Sequence, residues 1–538
     1  MFDLVIRNAC VVDGSGCPRF HSDLAVKAGK IVAMAPQLNV EAAVVLDVHG
    51  LTVAPGFIDA HSHGDILAEA YPECIAAVEQ GITTQIAGMC GISMAPLSQE
   101  HLEDGLRYLD SLKKDSLCSS WKNRLSFGGY LDWIDKPMGT NMGFLVGHGT
   151  IRAAVMGYED RAPSAEELGR METLLSDAMD SGAMGLSFGL IYPPGAYADV
   201  EEIVALCKVV AQKGGVMTVH LRSESTRLVE AVEEIIEVTR RSKVRCVISH
   251  HKATGGPANW GKVRKTLELV HQAVKEGLDI FCDQYPYTAS STSLATNIPE
   301  KLHALGKHAL LRMLADPEAR MTLRAQIVGN QTAEQRFSRT MIGRSATHPE
   351  YSGKMLNDLA AELRKDPYEL QCDILLEDEL STDGIFHTMC EDDLHTVMKE
   401  PRTMIGTDGL WYPGCEGTHP RSIASFPRVL GRYVREEQVV SLEEAIRKMT
   451  SMPAAVYNLA NKGLVRIGCD ADLVVFDPDE IHDRANYVNF RARCEGLKYV
   501  LVNGIIVVED AIFNGEKHGK VLRRGLSVTR FHGNDCTW

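Results

Sequence analysis

The sequence predicts an α/β protein: a parallel barrel of repeated strand, loop and helix units, carrying a small β domain made from both chain ends. Three observations predict it. Strand-like and helix-like patterns alternate through the middle of the chain, and β-rich segments without helices open and close it. Six residues with metal-ligand chemistry, His61, His63, Cys90, His220, His250 and Asp408, fall at the carboxyl ends of strand-like segments. That recurrence favours a barrel over an open doubly wound sheet, because barrel active sites are assembled from strand carboxyl ends.

In chain order, Asp3–Arg7, Asp23–Val26, Lys30–Met34 and Val44–Asp47 are short β-rich runs between glycine and polar turns, the pattern of a small sheet. Val53 to His63 reads as a buried strand delivering two histidines, and Ile82–Ile86 as the strand before Cys90. Ser164 followed by Glu167 is a capping-box signature ahead of a periodic apolar stretch to Ala178, which Gly182 stops. Gly185–Leu190 reads as a strand; Asp199 caps a helix through Val210, and Val216–His220 is the next strand. Arg227–Arg240 is helical by period, Val244–His250 a strand, Lys262–Lys275 helical, and Leu278–Cys282 a strand. Such alternation implies a parallel sheet with helical crossovers. Ala471–Asp477 and Tyr499–Val508 return to β character. The domains expected are therefore 1–54 and 464–538 as the two parts of the β domain and 55–463 as the barrel. A helix-rich, charged interruption at about 298–334 reads as an insertion or surface lobe. No internal repeat is visible.

At 538 residues the chain suits one large barrel plus accessory structure. A hydrophobic share of 45% and a charged share of 24% are those of an ordinary globular protein. The net charge of -15 disfavours nucleic acid or anionic membrane as a main partner, since both need a cationic surface. The start, Met1-Phe-Asp-Leu-Val-Ile-Arg-Asn8, lacks the basic and then uninterrupted apolar regions of a secretory leader. No run reaches the ~20 apolar residues of a spanning helix. Fourteen cysteines without CxxC pairs fit reduced thiols in a cytoplasmic enzyme.

His61 and His63 stand two apart, so in a strand both imidazoles share one face and can reach one ion. A lone pair of this kind is often surface or core histidine; here it has partners. His220 and His250 end consecutive predicted strands, which parallel pairing would bring together. His251 competes with His250, but alternation points adjacent residues oppositely, so only one should face an ion. Asp408 ends the apolar segment Thr403–Asp408; a turn aspartate is the bland reading, a metal ligand or a proton acceptor for water the chemical one. Cys90, in Ala87-Gly-Met-Cys-Gly-Ile-Ser-Met-Ala-Pro96, would by itself be a small core residue; its glycine flanks allow close approach, and a thiolate suits zinc.

Together these stretches resemble the amidohydrolase superfamily, and specifically its D-aminoacylase (N-acyl-D-amino-acid deacylase) branch, from Asp3 to about Asp510. Gly56-Phe-Ile-Asp-Ala-His-Ser-His63 and Gly468-Cys-Asp-Ala-Asp-Leu-Val-Val-Phe476 mark the superfamily. The Cys90 loop, Ile191-Tyr-Pro-Pro-Gly-Ala-Tyr197, Ile248-Ser-His-His-Lys252 and Asp283-Gln-Tyr-Pro-Tyr287 mark the branch. The resemblance implies a distorted (β/α)8 barrel with a β-sandwich built from both chain ends. It implies one tightly held Zn2+ on Cys90, His220 and His250, and a weaker site on His61, His63 and Asp408, with Asp408 the catalytic acid and base. Lys252, Tyr285 and Arg421 match family positions for binding a substrate carboxylate, and Tyr192 and Ser291 are further pocket candidates. Thr288 to Pro299 carries no Lys or Arg, which favours neutral or apolar D-amino acids over D-glutamate or D-aspartate. The expected activity is hydrolysis of a small N-acyl-D-amino acid by a monomer or small homo-oligomer. Rivals are a cyclic-amide hydrolase of the dihydropyrimidinase or hydantoinase type, which uses a lysine bridge where Cys90 stands, and a non-catalytic barrel that serves as an interaction protein.

Overall fold

The computed structural model describes residues 1–110, 121–303, 305–411, 413–414 and 419–525. Eight parallel strands form the barrel: β1 Phe57–Asp59, β2 Ile82–Ala87, β3 in two pieces (Asn141–Phe144 and Val146–Gly147), β4 Gly185–Gly189, β5 Val216–His220, β6 Arg245–Ile248, β7 Ile280–Gln284 and β8 Thr403–Ile405. Each pairs with the next in parallel, from β1 with β2 to β7 with β8. The ring closes where Ala60 N–H donates to Ile405 O (3.3 Å) and Asp408 N–H to His61 O (2.8 Å). It is distorted at β3, whose first half takes the C-terminal strand Val521–Leu522 as a neighbour while only the second half reaches β4.

The strands are buried throughout β1, β2, β4 and β5, as expected of a sheet covered on both faces. Ile58, Ile86, Leu145, Met184, Val216, Val247 and Met404, drawn from around the ring, fill its interior in one apolar cluster. Leu186, Phe188, Met217 and Val219 pack instead with Ile203, Leu206, Val232 and Ile235 of the surrounding helices. Those helices follow their sequence signals. Ser164 and Glu167 form a reciprocal capping box on Ala165–Asp180, Asp199 caps Val200–Gln212, and Lys262–Lys275 is helical as its period predicts.

Both chain ends meet in one nine-stranded sheet, joined where Leu473–Phe476 runs antiparallel to Thr52–Pro55. The predicted run 499–508 is a hairpin, Leu497–Val502 and Ile505–Glu509, turned at Asn503 (φ 49°) and Gly504 (φ 85°). Both positive φ values are what a two-residue hairpin turn needs, and Asn-Gly adopts them at least cost.

The excursion between β7 and β8 extends well past the helix-rich 298–334 of the sequence reading. Its three-stranded sheet, Ser290–Ser293, Asp383–Phe386 and Thr340–Ile342, frames helices that share a core of Leu294, Leu310, Leu314, Phe337, Leu356 and Tyr368. The strands are short and one is all Ser and Thr, so no alternation marks them. Leu356–Leu363 and Pro367–Glu377 are further helices of this lobe, beyond the predicted interruption. Among the described residues no helix is long and apolar enough to cross a membrane, and the cysteines are free.

Candidate metal centre

The six donor residues predicted from sequence converge at the carboxyl ends of the barrel strands. His61 and His63 follow β1, Cys90 follows β2, His220 ends β5, His250 follows β6, and Asp408 follows β8. Three of them occupy left-handed backbone: Cys90 (φ 54°), His250 (φ 35°) and Asp408 (φ 46°). This conformation disfavours side-chain-bearing residues and persists where surrounding structure enforces it, as at functional sites. For His250 the enforcer is visible: its N–H donates to Asp283 Oδ1 (2.7 Å). The structure therefore corrects the strand predicted over 244–250, which ends at Ile248; a turn, not strand alternation, aims His250 inward. His251 points away, Nε2 to Thr266 Oγ1 (2.8 Å), and burial pushes it down to about 4.

Cys90 Sγ lies 3.4 Å from His61 Nε2 and 3.5 Å from His250 Nε2. Asp408 Oδ1 is 3.5 Å from His61 Nε2 and 3.2 Å from His63 Nε2. The donor atoms of His61, Cys90, His250 and Asp408 all lie within 4.8 Å of one another, as do those of His220, Glu224 and His250. These two donor groups share His250, so the predicted ligand sets, Cys90 with His220 and His250, and His61 with His63 and Asp408, are contiguous: Cys90 touches His250 of its own set and His61 of the other.

Charge balances inside the cluster. Burial alone would raise the Cys90 thiol, but the imidazoles of His61 and His250 outweigh it and hold the thiol well below its usual value. Burial would likewise raise Asp408, yet the Arg421 guanidinium (2.8 Å) and the His63 hydrogen bond keep its carboxyl well below the usual range. Against burial, the Asp408 and Cys90 hydrogen bonds carry His63 to about 9. Thiolate, carboxylate and imidazoles in one buried cluster form a donor set for a divalent metal ion. His220 supplies the strongest sign: both of its ring nitrogens are buried without a hydrogen-bond partner, a costly state that metal ligation relieves.

Two carboxylates that the sequence reading left without a role support this cluster. Asp283 Oδ1, at the end of β7, accepts the His250 N–H and sits 3.1 Å from His61 Nδ1, so His61 Nε2 is the nitrogen that faces Cys90. Asp283→Asn is expected to lower metal affinity about 10- to 100-fold, the usual cost of losing such an outer carboxylate, measured by titrating zinc into apo-protein. Glu224, four residues past His220, lies 2.9 Å from His250 Nδ1 and 2.6 Å from Lys252 Nζ. Asp283 stood in a quoted motif; Glu224 carried no signal beyond its i+4 spacing from His220.

The predicted substrate-binding residues line the same mouth. Two cations approach the Tyr285 ring, Lys252 Nζ at 5.6 Å and Arg421 Cζ at 4.6 Å from its centroid. Both cations are already paired, Lys252 with Glu224 and Arg421 with Asp408. The Tyr192 ring stands edge-on to His220 at 5.1 Å. Ser291 contributes its carbonyl, which accepts from Arg421 Nη2 (3.3 Å).

A model of the amidohydrolase family matches residues 44–508. The chain belongs to the amidohydrolase family. This amidohydrolase is 37% identical to a D-aminoacylase of Alcaligenes xylosoxydans xylosoxydans over 97% of its own length and 98% of the relative's. It is 36% identical to the N-acyl-D-glutamate deacylase of the same organism over 98% and 97%. Among solved structures, the N-acyl-D-glutamate deacylase of Bordetella bronchiseptica superposes with a TM-score of 0.82 at 34% identity, covering 97% of this chain and 99% of that one. That protein was solved with zinc and a phosphonate that mimics the tetrahedral intermediate of its reaction. The L-hydantoinase of Arthrobacter aurescens shares the fold, with a TM-score of 0.57 at 16% identity over 97% of this chain and all of that one.

Proposed function

We propose that this amidohydrolase uses zinc to hydrolyse N-acyl-D-amino acids with neutral or apolar side chains, releasing a carboxylate and the free D-amino acid. The observation that carries the reading is the meeting of Cys90, four imidazoles and Asp408 beside two buried cations, in a chain similar over nearly its whole length to D-amino-acid deacylases. Cys90, His220 and His250 would hold one zinc tightly, and His61, His63 and Asp408 a second, weaker ion. An ion held by these residues would supply Lewis-acid chemistry for the acyl carbonyl and for water near neutral pH. Asp408, kept deprotonated by Arg421, takes a proton from the attacking water and passes it to the departing nitrogen as the C–N bond breaks. Arg421, Lys252 and the Tyr285 hydroxyl grip the substrate's α-carboxylate, for which the guanidinium fork is suited. Tyr192, edge-on to His220, and Ser291, whose carbonyl accepts from Arg421, are further pocket residues.

No lysine or arginine occurs in Thr288–Pro299, which supports a neutral side chain. The net charge of -15 and the free thiols of the described cysteines support a cytoplasmic protein acting on a small molecule. A panel of N-acetyl-D-Leu, N-acetyl-D-Met, N-acetyl-D-Glu, their L-isomers and simple hydantoins tests the proposal. Turnover of D-Leu or D-Met at least tenfold above the rest is expected, about the 1–3 kcal/mol that a side-chain pocket discriminates. Preference for D-Glu would refute the neutral pocket, and hydantoin hydrolysis without deacylation would favour the cyclic-amide rival.

A further inference from the structure

Glu224 is a buried carboxylate that the mechanism above does not use, yet it stands between three groups that the mechanism does use. Its Oε1 accepts from Lys252 Nζ (2.6 Å) and lies 2.9 Å from His250 Nδ1, while Oε2 lies 3.7 Å from His220 Nε2. Lys252 Nζ is also 2.8 Å from His250 Nδ1 and donates to the His250 carbonyl (3.1 Å). The other ring nitrogen of His250 faces Cys90 Sγ. The backbone is fixed as well: Thr254 donates to the Glu224 carbonyl through both its N–H (2.7 Å) and its Oγ1 (3.2 Å), tying the loop after β5 to the loop after β6.

We propose that Glu224 is a positioning residue that couples metal retention to recognition of the substrate's carboxylate, through His250 on one side and Lys252 on the other. The inference rests on the deacylase reading above for its substrate half only. A metal-bound histidine donates its distal N–H to an acceptor that fixes ring and tautomer, and Glu224 is the carboxylate at the distal nitrogen of His250. A lysine stem has four rotatable bonds, and an ammonium taken out of water needs a counter-charge to stay in one place. Glu224 is that counter-charge at 2.6 Å, and it holds Nζ 5.6 Å from the centroid of the Tyr285 ring, the ring that Arg421 also approaches. One carboxylate thereby sets the distance between the ligand imidazole and the cation that would receive the substrate.

The test compares wild type, Glu224→Gln, Lys252→Gln and the double variant. Zinc is titrated into each apo-protein against a chelator, and KM is measured for N-acetyl-D-methionine and for its C-terminal amide, which lacks the carboxylate. Glu224→Gln should weaken zinc about 10- to 100-fold, as loss of such a partner does. It should also raise KM for the acid about tenfold but leave KM for the amide in place, a preference that is expected to collapse together with the pairing of one buried charge. In the double variant the two KM effects should not add, because Glu224 acts on the carboxylate through Lys252. Unchanged zinc affinity in Glu224→Gln, or full additivity, would overturn the coupling. The double variant, which removes a charge pair rather than stranding one member, supplies both readouts against Lys252→Gln should the single variant not fold. If wild type hydrolyses no N-acyl-D-amino acid, the deacylase reading fails, and the zinc titration still decides whether Glu224 supports the ligand set.

Discussion

Asp408→Asn should leave the tightly held zinc on Cys90, His220 and His250 in place and lower kcat by about 10³-fold, within the 10²–10⁴ that a positioned acid or base contributes. The reasoning starts from what the substitution does not touch. Asp408 is held in place by its backbone, through its N–H to the His61 carbonyl (2.8 Å), and the neighbouring Thr407 is fastened to Asp59 by N–H (2.9 Å) and Oγ1 (2.6 Å) hydrogen bonds. Asparagine has the same shape and keeps an oxygen to offer, so the pocket survives. What it lacks is the ability to take a proton at one stage and return it at the next. The price is not confined to chemistry. Arg421, whose side chain is only 8% exposed, loses the counter-charge at 2.8 Å, and stranding one member of a buried pair typically costs about 3–5 kcal/mol. The variant should therefore melt earlier as well as turn over slowly. Kinetics, metal analysis and a thermal melt on one preparation separate these effects, and near-wild-type turnover would remove Asp408 from its role.

The residues that were legible in the sequence share a property: their chemistry and their local pattern point the same way. His61 and His63 two apart before a glycine, and His220 at the end of the strand-like Val216-Met-Thr-Val219, announce both a strand end and a ligand. Capping boxes and helix periods are equally local, and the helix at 262–275 matched to the residue. Other features depend on pairing across long stretches of chain. Asp283 meets His61 across 222 residues, and nothing near Glu224 distinguishes it from a loop carboxylate until the fold sets it against His250 and Lys252. The left-handed backbone at Cys90, His250 and Asp408 is also silent in sequence, because residues other than glycine and asparagine rarely advertise it. The lobe between β7 and β8 was underestimated for a related reason, its short polar strands having no periodicity to read.

The connected arrangement of the donors changes what loss of one of them means. Had the two ligand sets been separate, each could fail alone. With Cys90 against both His61 and His250, and Arg421, Asp408 and His63 in one chain of contacts, a change in either set alters the charge on the other.

Cys90→Ala is accordingly expected to have the largest effect on metal content, with zinc per chain falling well below one and activity lost by about 10³-fold or more. Metal-derived stabilisation of a transition state amounts to several kcal/mol, and each 1.36 kcal/mol is a factor of ten. The loop itself should survive. Its shape is set by close backbone approach, since a Cβ on Gly88 (φ 80°) would come within 2.1 Å of the Leu145 carbonyl oxygen, and alanine at position 90 leaves that packing alone. The thiolate is moreover the anionic counterpart of two buried imidazoles, so its removal should lower the affinity of both for protons, His61 and His250 being raised in part by Cys90. Melting the wild type with and without chelator, beside Cys90→Ala, gives the decisive comparison. The variant should melt near the chelated wild type and be insensitive to added zinc. A variant that binds zinc at wild-type stoichiometry and stays active would show that the imidazoles and Asp408 suffice, and that Cys90 is a small core residue after all.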